Sequence, residues 1–164
     1  MRLLSLRELS LKNEEKKSRK RRGRRLTSKQ SRNMRRRGYD AERELVRKLR
    51  SLGFKAVRVP SSAPSSEPLP DIFATLDDRI LAVEVKASSG EKVYFNSNQV
   101  KKLFEFLKIF NVYREKIALL AGKFPYRWVF KQVKEAEDHV IHRNEKGNIQ
   151  LKDLLKDEDA AIFL

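Results

Sequence analysis

The run Arg79-Ile80-Leu81-Ala82-Val83-Glu84-Val85-Lys86 (RILAVEVK) decides the fold, because it reads as a buried strand that nevertheless ends on two charges. Alternation along a strand puts Ile80, Ala82, Glu84 and Lys86 on one face and Leu81, Val83 and Val85 on the other. A charge at each of two inward positions demands a partner or a function. Upstream, Pro70-Asp71 adds a second acid, so that the chain carries P-D…E-x-K, in which two acids and one lysine can converge on a metal ion.

Working outward, Asp71–Leu76 and Arg79–Lys86 form a hairpin around Asp77-Asp78. Before it, 60–70 (PSSAPSSEPLP) holds four of the five prolines and four serines, a composition that forbids a packed element. Tyr39–Leu52 has helical periodicity with Gly53 as its stop, and Phe54–Val59 reads as a strand. After the hairpin, Tyr94-Phe95 ends a short extended piece, and Asn96 or Ser97 caps a helix running to Phe110. Lys116–Ala121 and Arg127–Val133 read as two further strands, and Leu151–Leu155 as a short helix. The order α, β, β, β, α, β, β predicts an α/β fold: a mixed central sheet of about five strands flanked by helices.

Charge divides the chain. The formal net charge is +16, and residues 1–37 hold 16 Lys+Arg against 3 Asp+Glu while the remainder holds 22 against 19. Residues 1–37 are expected to be a flexible basic extension and 38–164 the folded domain, with Leu3, Leu4, Leu6, Leu9 and Leu11 giving a weak helix at the start. Met34 stands as an alternative start just before the globular pattern. Block charge of this kind binds polyanions; nucleic acid is the natural partner, with ribosomal RNA or an anionic membrane surface as the other readings. No stretch approaches the roughly 18 apolar residues of a membrane span, so an intracellular, nucleoid-associated protein is expected. The lack of cysteine excludes disulfides and thiolate metal sites only.

One residue of the first helix stands out. At 100° per residue Leu45, Val46 and Leu49 form its buried stripe, and Glu42 falls in the middle of it. The alternative for Glu42 is an acid favoured by the helix dipole. Glu44 points the other way, can pair with Lys48 and reads as a solvated surface acid.

The set RGYDAEREL (37–45), GFKAVR (53–58), PDI (70–72), EVK (84–86) and Gln99 before an apolar helix resembles the archaeal Holliday-junction resolvases, a branch of the restriction-endonuclease-like nucleases, over roughly residues 35–135. The basic extension is not typical of that family. The resemblance implies a metal-dependent endonuclease in which Asp71, Glu84 and the Val85 carbonyl hold Mg²⁺ or Mn²⁺, with Glu42 completing the shell directly or through water. Lys86 would sit against the attacking water, and Ser62 matches a loop serine that approaches the scissile phosphate. Arg43 and Arg58 would clamp phosphate oxygens or stand as surface charges, with Arg35, Arg36 and Arg37 as further DNA contacts. Gln99 matches a glutamine near the active site, or caps its helix.

Cutting a four-way DNA junction implies two active sites and hence a homodimer. Val100, Leu103, Phe104 and Leu107 form one apolar stripe, and Phe106, Ile109 and Phe110 widen it enough to suggest a second buried face. Trp128, with Phe124 and Tyr126, lies near a strand that the family uses in its dimer, or is a buried aromatic. The end Ile162-Phe163-Leu164 would dock on a sliding clamp or cover the protein's own core, the second being preferred. The alternatives to junction resolution are another nuclease of the same superfold with a different DNA or RNA substrate, and a non-catalytic basic nucleic-acid-binding protein.

Overall fold

The computed structural model describes residues 27–60 and 67–155. Ser62, the Leu3–Leu11 interval and the Ile162–Leu164 end lie outside them. The chain divides after Arg35 into two units, of which the second carries the sheet.

Helix α1 spans Ser28–Ser51, starting well before the expected Tyr39. Thr27 and Gln30 form a reciprocal cap: Thr27 Oγ1 accepts from the Gln30 amide at 3.2 Å, and Gln30 Oε1 from the Thr27 amide at 2.9 Å. The intervening Arg, Lys and Gln are good helix formers, which an apolar-periodicity reading does not register. At the other end Gly53 takes φ 94°, and the Phe54 amide returns to the Leu49 carbonyl at 3.1 Å, closing the helix as its sequence predicts.

Strands β1 (Lys55–Arg58), β2 (Ile72–Leu76), β3 (Arg79–Ala87), β5 (Glu115–Phe124) and β6 (Arg127–Val133) form a five-stranded sheet in the order β1-β2-β3-β5-β6. All neighbours are antiparallel except β3 and β5, which are parallel and joined through β4 (Lys92–Phe95) and helix α2 (Ser97–Ile109). Burial of β3 on both faces explains its unbroken apolar run. Leu81, Val83 and Val85 pack with Ala41, Leu45, Val46 and Leu49 of α1. Ile80 and Ala82 pack on the opposite face with Val100, Leu103, Phe106 and Leu107 of α2.

Strand β7 (His139–His142) escaped the sequence reading; it pairs with β4 in a two-stranded ribbon whose Val93, Phe95 and Ile141 join the α2-side core. The final element is a 3₁₀ turn, Leu151–Leu155, pinned by buried Arg79, which ties the Glu115 carboxylate and the Leu154 carbonyl together. Phe106, expected on a second face of α2, belongs to the protein's own core against Phe73, whereas Ile109 is 64% exposed.

Candidate active site

The β2–β3 register builds the site. Ile72 pairs with Val83, so one rung further Asp71 stands opposite Glu84, at a position where cross-strand β-carbons lie about 5 Å apart. Asp71 Oδ2 accepts the Val85 amide at 2.8 Å, taking the hydrogen bond that a longer β2 would make. In an extended strand the carbonyl of a residue leaves on the same edge as its N–H, so the Val85 carbonyl faces Asp71 as well.

Helix α2 meets this pair with its first turn. Asn96 caps it, accepting from the Gln99 amide at 2.9 Å, while Gln99 Oε1 reaches back to the Asn96 amide. The same Gln99 donates from Nε2 to Glu84 Oε1 at 2.6 Å and accepts from Lys86 Nζ at 2.6 Å. The two roles that the sequence offers as alternatives are therefore filled by one side chain. Lys86 also donates to the Tyr94 carbonyl and lies 5.1 Å from the centre of the Phe95 ring.

Electrostatics mark the pair as unsatisfied. Burial, and then the charge of Asp71, push the Glu84 carboxyl up to about 8. Burial, opposed by the Val85 hydrogen bond but reinforced by Glu42, raises Asp71 to about 6. Burial lowers Lys86, although both acids pull the other way. Two buried carboxyls that resist joint ionisation beside one lysine lack positive charge, and hard oxygen donors of this kind fit a divalent cation. Glu42 turns to Arg58, with Nη1 to Oε2 at 2.9 Å, and Arg58 lies over the Tyr39 ring at 5.3 Å. Among the described residues no three acids are placed to share one ion, so Asp71 and Glu84 form the inner pair and Glu42 stands behind them through its charge on Asp71.

Other sequence candidates lie farther out. Arg43 is exposed and pairs with Asp40 at 4.0 Å, as does Arg36 at 3.8 Å, and Arg37 donates to Ser89 Oγ at 3.1 Å. Arg35 is exposed on the helix. The sequence reading missed Tyr39, one helical turn before Glu42, and Lys102, one turn after Gln99, whose charge acts on Glu84; the i, i+3 spacing was the available signal. It also misread Glu44. That carboxylate keeps the expected Lys48 pair at 3.9 Å, but it also accepts from Trp128 Nε1 at 2.8 Å and from Lys123 at 3.0 Å. Partial burial opposes its ionisation, and these bonds overcome that and hold it below the ordinary range. Its partners lie 79 and 84 residues away, out of reach of helical periodicity.

Among the described residues no helix is long and apolar enough to cross a membrane. The sequence profile of the archaeal Holliday junction resolvase family (hjc) matches residues 33–162. The Crossover junction endodeoxyribonuclease Hje of Saccharolobus islandicus (strain REY15A) is 45% identical over 121 residues, covering 73% of this chain and 87% of the relative. That of Sulfolobus acidocaldarius is 48% identical over 103 residues, covering 62% and 73%. The solved structure of Archaeoglobus fulgidus Hjc, "a Holliday junction resolvase from an archaeal hyperthermophile", superposes with a TM-score of 0.55 at 28% identity, covering 71% of this chain and 93% of that one. A resolvase nuclease family of this kind implies a divalent metal cofactor, and the donor set built by Asp71 and Glu84 suits one. With the profile, the relatives and the fold in agreement, the chain belongs to the archaeal Holliday junction resolvase family.

Proposed function

We propose that the protein is a homodimeric endonuclease that resolves four-way DNA junctions by paired, symmetric incisions, each leaving a 5′ phosphate. The observation that carries the catalytic part is the Asp71–Glu84 rung with its raised carboxyls, set beside Lys86 by a glutamine that touches both Glu84 and Lys86.

Asp71, Glu84 and the Val85 carbonyl would hold Mg²⁺ or Mn²⁺, with Glu42 in support. When bound, such an ion polarises the phosphoryl oxygens and acidifies a coordinated water. Lys86, fixed by Gln99 Oε1 and the Tyr94 carbonyl, stands where an ammonium group can steady the attacking water and the charge gathering on phosphorus. Water oxygen adds to phosphorus and releases a proton to solvent, the P–O3′ bond breaks, and the leaving 3′ oxygen takes a proton from solvent. Arg58 and the outer Arg35, Arg36, Arg37 and Arg43 supply cations for the backbone, and Ser62 is assigned to the scissile phosphate on the strength of its place in the sequence alone. Residues 1–37 act as a basic extension and 38–164 as the nuclease domain.

Two incisions need two sites, and a two-fold dimer provides them. Ile109, 64% exposed at the end of α2, and Val112, 82% exposed in the turn after it, leave an apolar patch that suits such a contact. A substrate of this kind places the protein with chromosomal DNA. The test is cleavage of a synthetic junction by wild type, Asp71→Asn and Glu84→Gln. Both variants should bind the junction and fail to cut it; a wild type that leaves junctions intact with Mg²⁺ and Mn²⁺ alike would overturn the reading.

A further inference from the structure

The β5–β6 hairpin turns on two residues, Pro125 and Tyr126, because Phe124 pairs directly with Arg127. Proline fixes a negative φ at the first, and Tyr126 takes φ 62° at the second. This φ pattern is that of a type II turn, whose second central position ordinarily belongs to Gly or Asn. A tyrosine there presses its Cβ toward the following carbonyl, a conformation that side chains avoid. Packing does not explain its presence. Phe124 is buried and Trp128 stacks on Phe130, but Tyr126 is 103% exposed, with no hydrogen bond or ring contact among the described residues. A strained backbone position that holds a large, unsupported ring points to use outside the fold.

Its place says what the use is. Strand β5 runs parallel to β3 with Lys86 opposite Gly122 and Ala87 opposite Lys123, so the hairpin tip leaves the end of the sheet that holds Glu84 and Lys86. Strand geometry puts the ring on the order of 10 Å beyond Lys86. On the α1 side of the same end lies a cavity of about 260 Å³ lined by Arg37, Ser88, Ser89, Lys123 and Pro125, and its acids Asp40 and Glu44 are each paired with cations. A continuous duplex presents only base edges in its grooves, whereas the open centre of a branched molecule exposes base faces on which an aromatic ring can stack.

We propose that Tyr126 is a base-stacking wedge: its ring enters the branch point of the four-way junction and stacks on a base that the separating arms expose. This rests on the junction reading above and adds to it a residue that distinguishes branched from linear DNA. Basic side chains grip any duplex alike, and a ring at the hairpin tip finds a base face only where stacking is interrupted.

Turn strain supplies the control, since Tyr126→Gly removes the ring and relaxes the backbone together. Wild type, Tyr126→Phe and Tyr126→Gly would be compared on junctions carrying 2-aminopurine beside the branch point, in EDTA, with affinity for junction and for duplex measured in parallel. Wild type and Tyr126→Phe should change the 2-aminopurine signal and prefer the junction. Tyr126→Gly, with an equal or higher thermal midpoint, should leave the signal unchanged and lose about tenfold of junction affinity, the scale of one base–aromatic stack, while duplex affinity stays the same. If wild type prefers junctions and Tyr126→Gly matches it, the wedge fails and the junction reading stands. A wild type without any junction preference overturns both. Should Tyr126→Gly instead change the sedimenting species, the ring belongs to a protein interface and the wedge is again overturned.

Discussion

At the scale of single residues the site is governed by two carboxyls that keep protons the unfolded chain would release. Their folded values of about 6 for Asp71 and about 8 for Glu84 lie above the ordinary 3.8 and 4.5, so without metal the stability they contribute is present at low pH and is lost as pH rises through that window. A divalent ion replaces those protons, and its affinity should therefore climb over the same range, by up to about tenfold per pH unit for each proton displaced. Calorimetric titration of Mn²⁺ from pH about 5 to about 9 should show this slope, and Glu84→Gln should flatten it. Gln99 permits a separate check. Gln99→Glu keeps an N3 side chain able to close the capping box, so the thermal midpoint should hardly move. It replaces the amide that donates to Glu84 by a carboxylate, and activity should drop about 10- to 100-fold, the usual effect of losing a group that orients a metal ligand. Equal activity in the two proteins would remove Gln99 from the machinery. Asp71, Glu84 and Lys86 were legible in the sequence because charges at the end of an apolar strand have few structural excuses. The Gln99 bridge was legible only as two competing roles, since spacing on one helix cannot show that its amide reaches across to another strand.

Among the elements, the β4–β7 ribbon connects packing to chemistry. Gly122 sits opposite Lys86, and a Cβ there would approach Ile141 at 3.1 Å, Phe124 at 3.2 Å and Val93 at 3.3 Å. The missing side chain lets the ribbon lie against the main sheet, and the ribbon's Tyr94 supplies the carbonyl that holds Lys86. Gly122→Ala should lower the unfolding free energy in a denaturant titration by about 1–3 kcal/mol and reduce cleavage beyond what the lower stability explains. Unchanged stability would mean that the ribbon yields freely. The long elements were readable from pattern alone: α1 through Leu45, Val46 and Leu49, and β3 through its apolar run. Strand β7 was not, because His139–His142 is four residues long and its partner β4 lies some fifty residues earlier. Short strands with distant partners are fixed by tertiary packing, which local composition does not carry.

For the whole molecule the asymmetry of charge matters most. Residues 1–37 carry 16 of the 38 cations. A chain beginning at Met34 should bind duplex DNA more weakly at low salt, with a salt slope shallower by about 0.9 for every phosphate that the shorter chain leaves unneutralised. Junction cleavage at raised salt should persist, and its disappearance under all conditions would make the upstream segment part of the catalytic assembly. The charge imbalance itself needed nothing but counting. The start of α1 at Ser28 could not be obtained that way, because a helix without an apolar stripe leaves no periodic trace, and only the Thr27–Gln30 cap announces it.

The fastening of Asp71 Oδ2 to the Val85 amide limits what that aspartate can offer a ligand. One oxygen is committed to the main chain, leaving a single oxygen to grip an ion and no freedom to swivel into a two-oxygen clasp. In Asp71→Asn the amide oxygen inherits the tether and the NH₂ group is forced to face the ion. Without metal near neutral pH the variant should melt no lower than the parent, since the buried carboxyl costs stability there, yet it should repel the cation, separating architecture from reactivity at one atom.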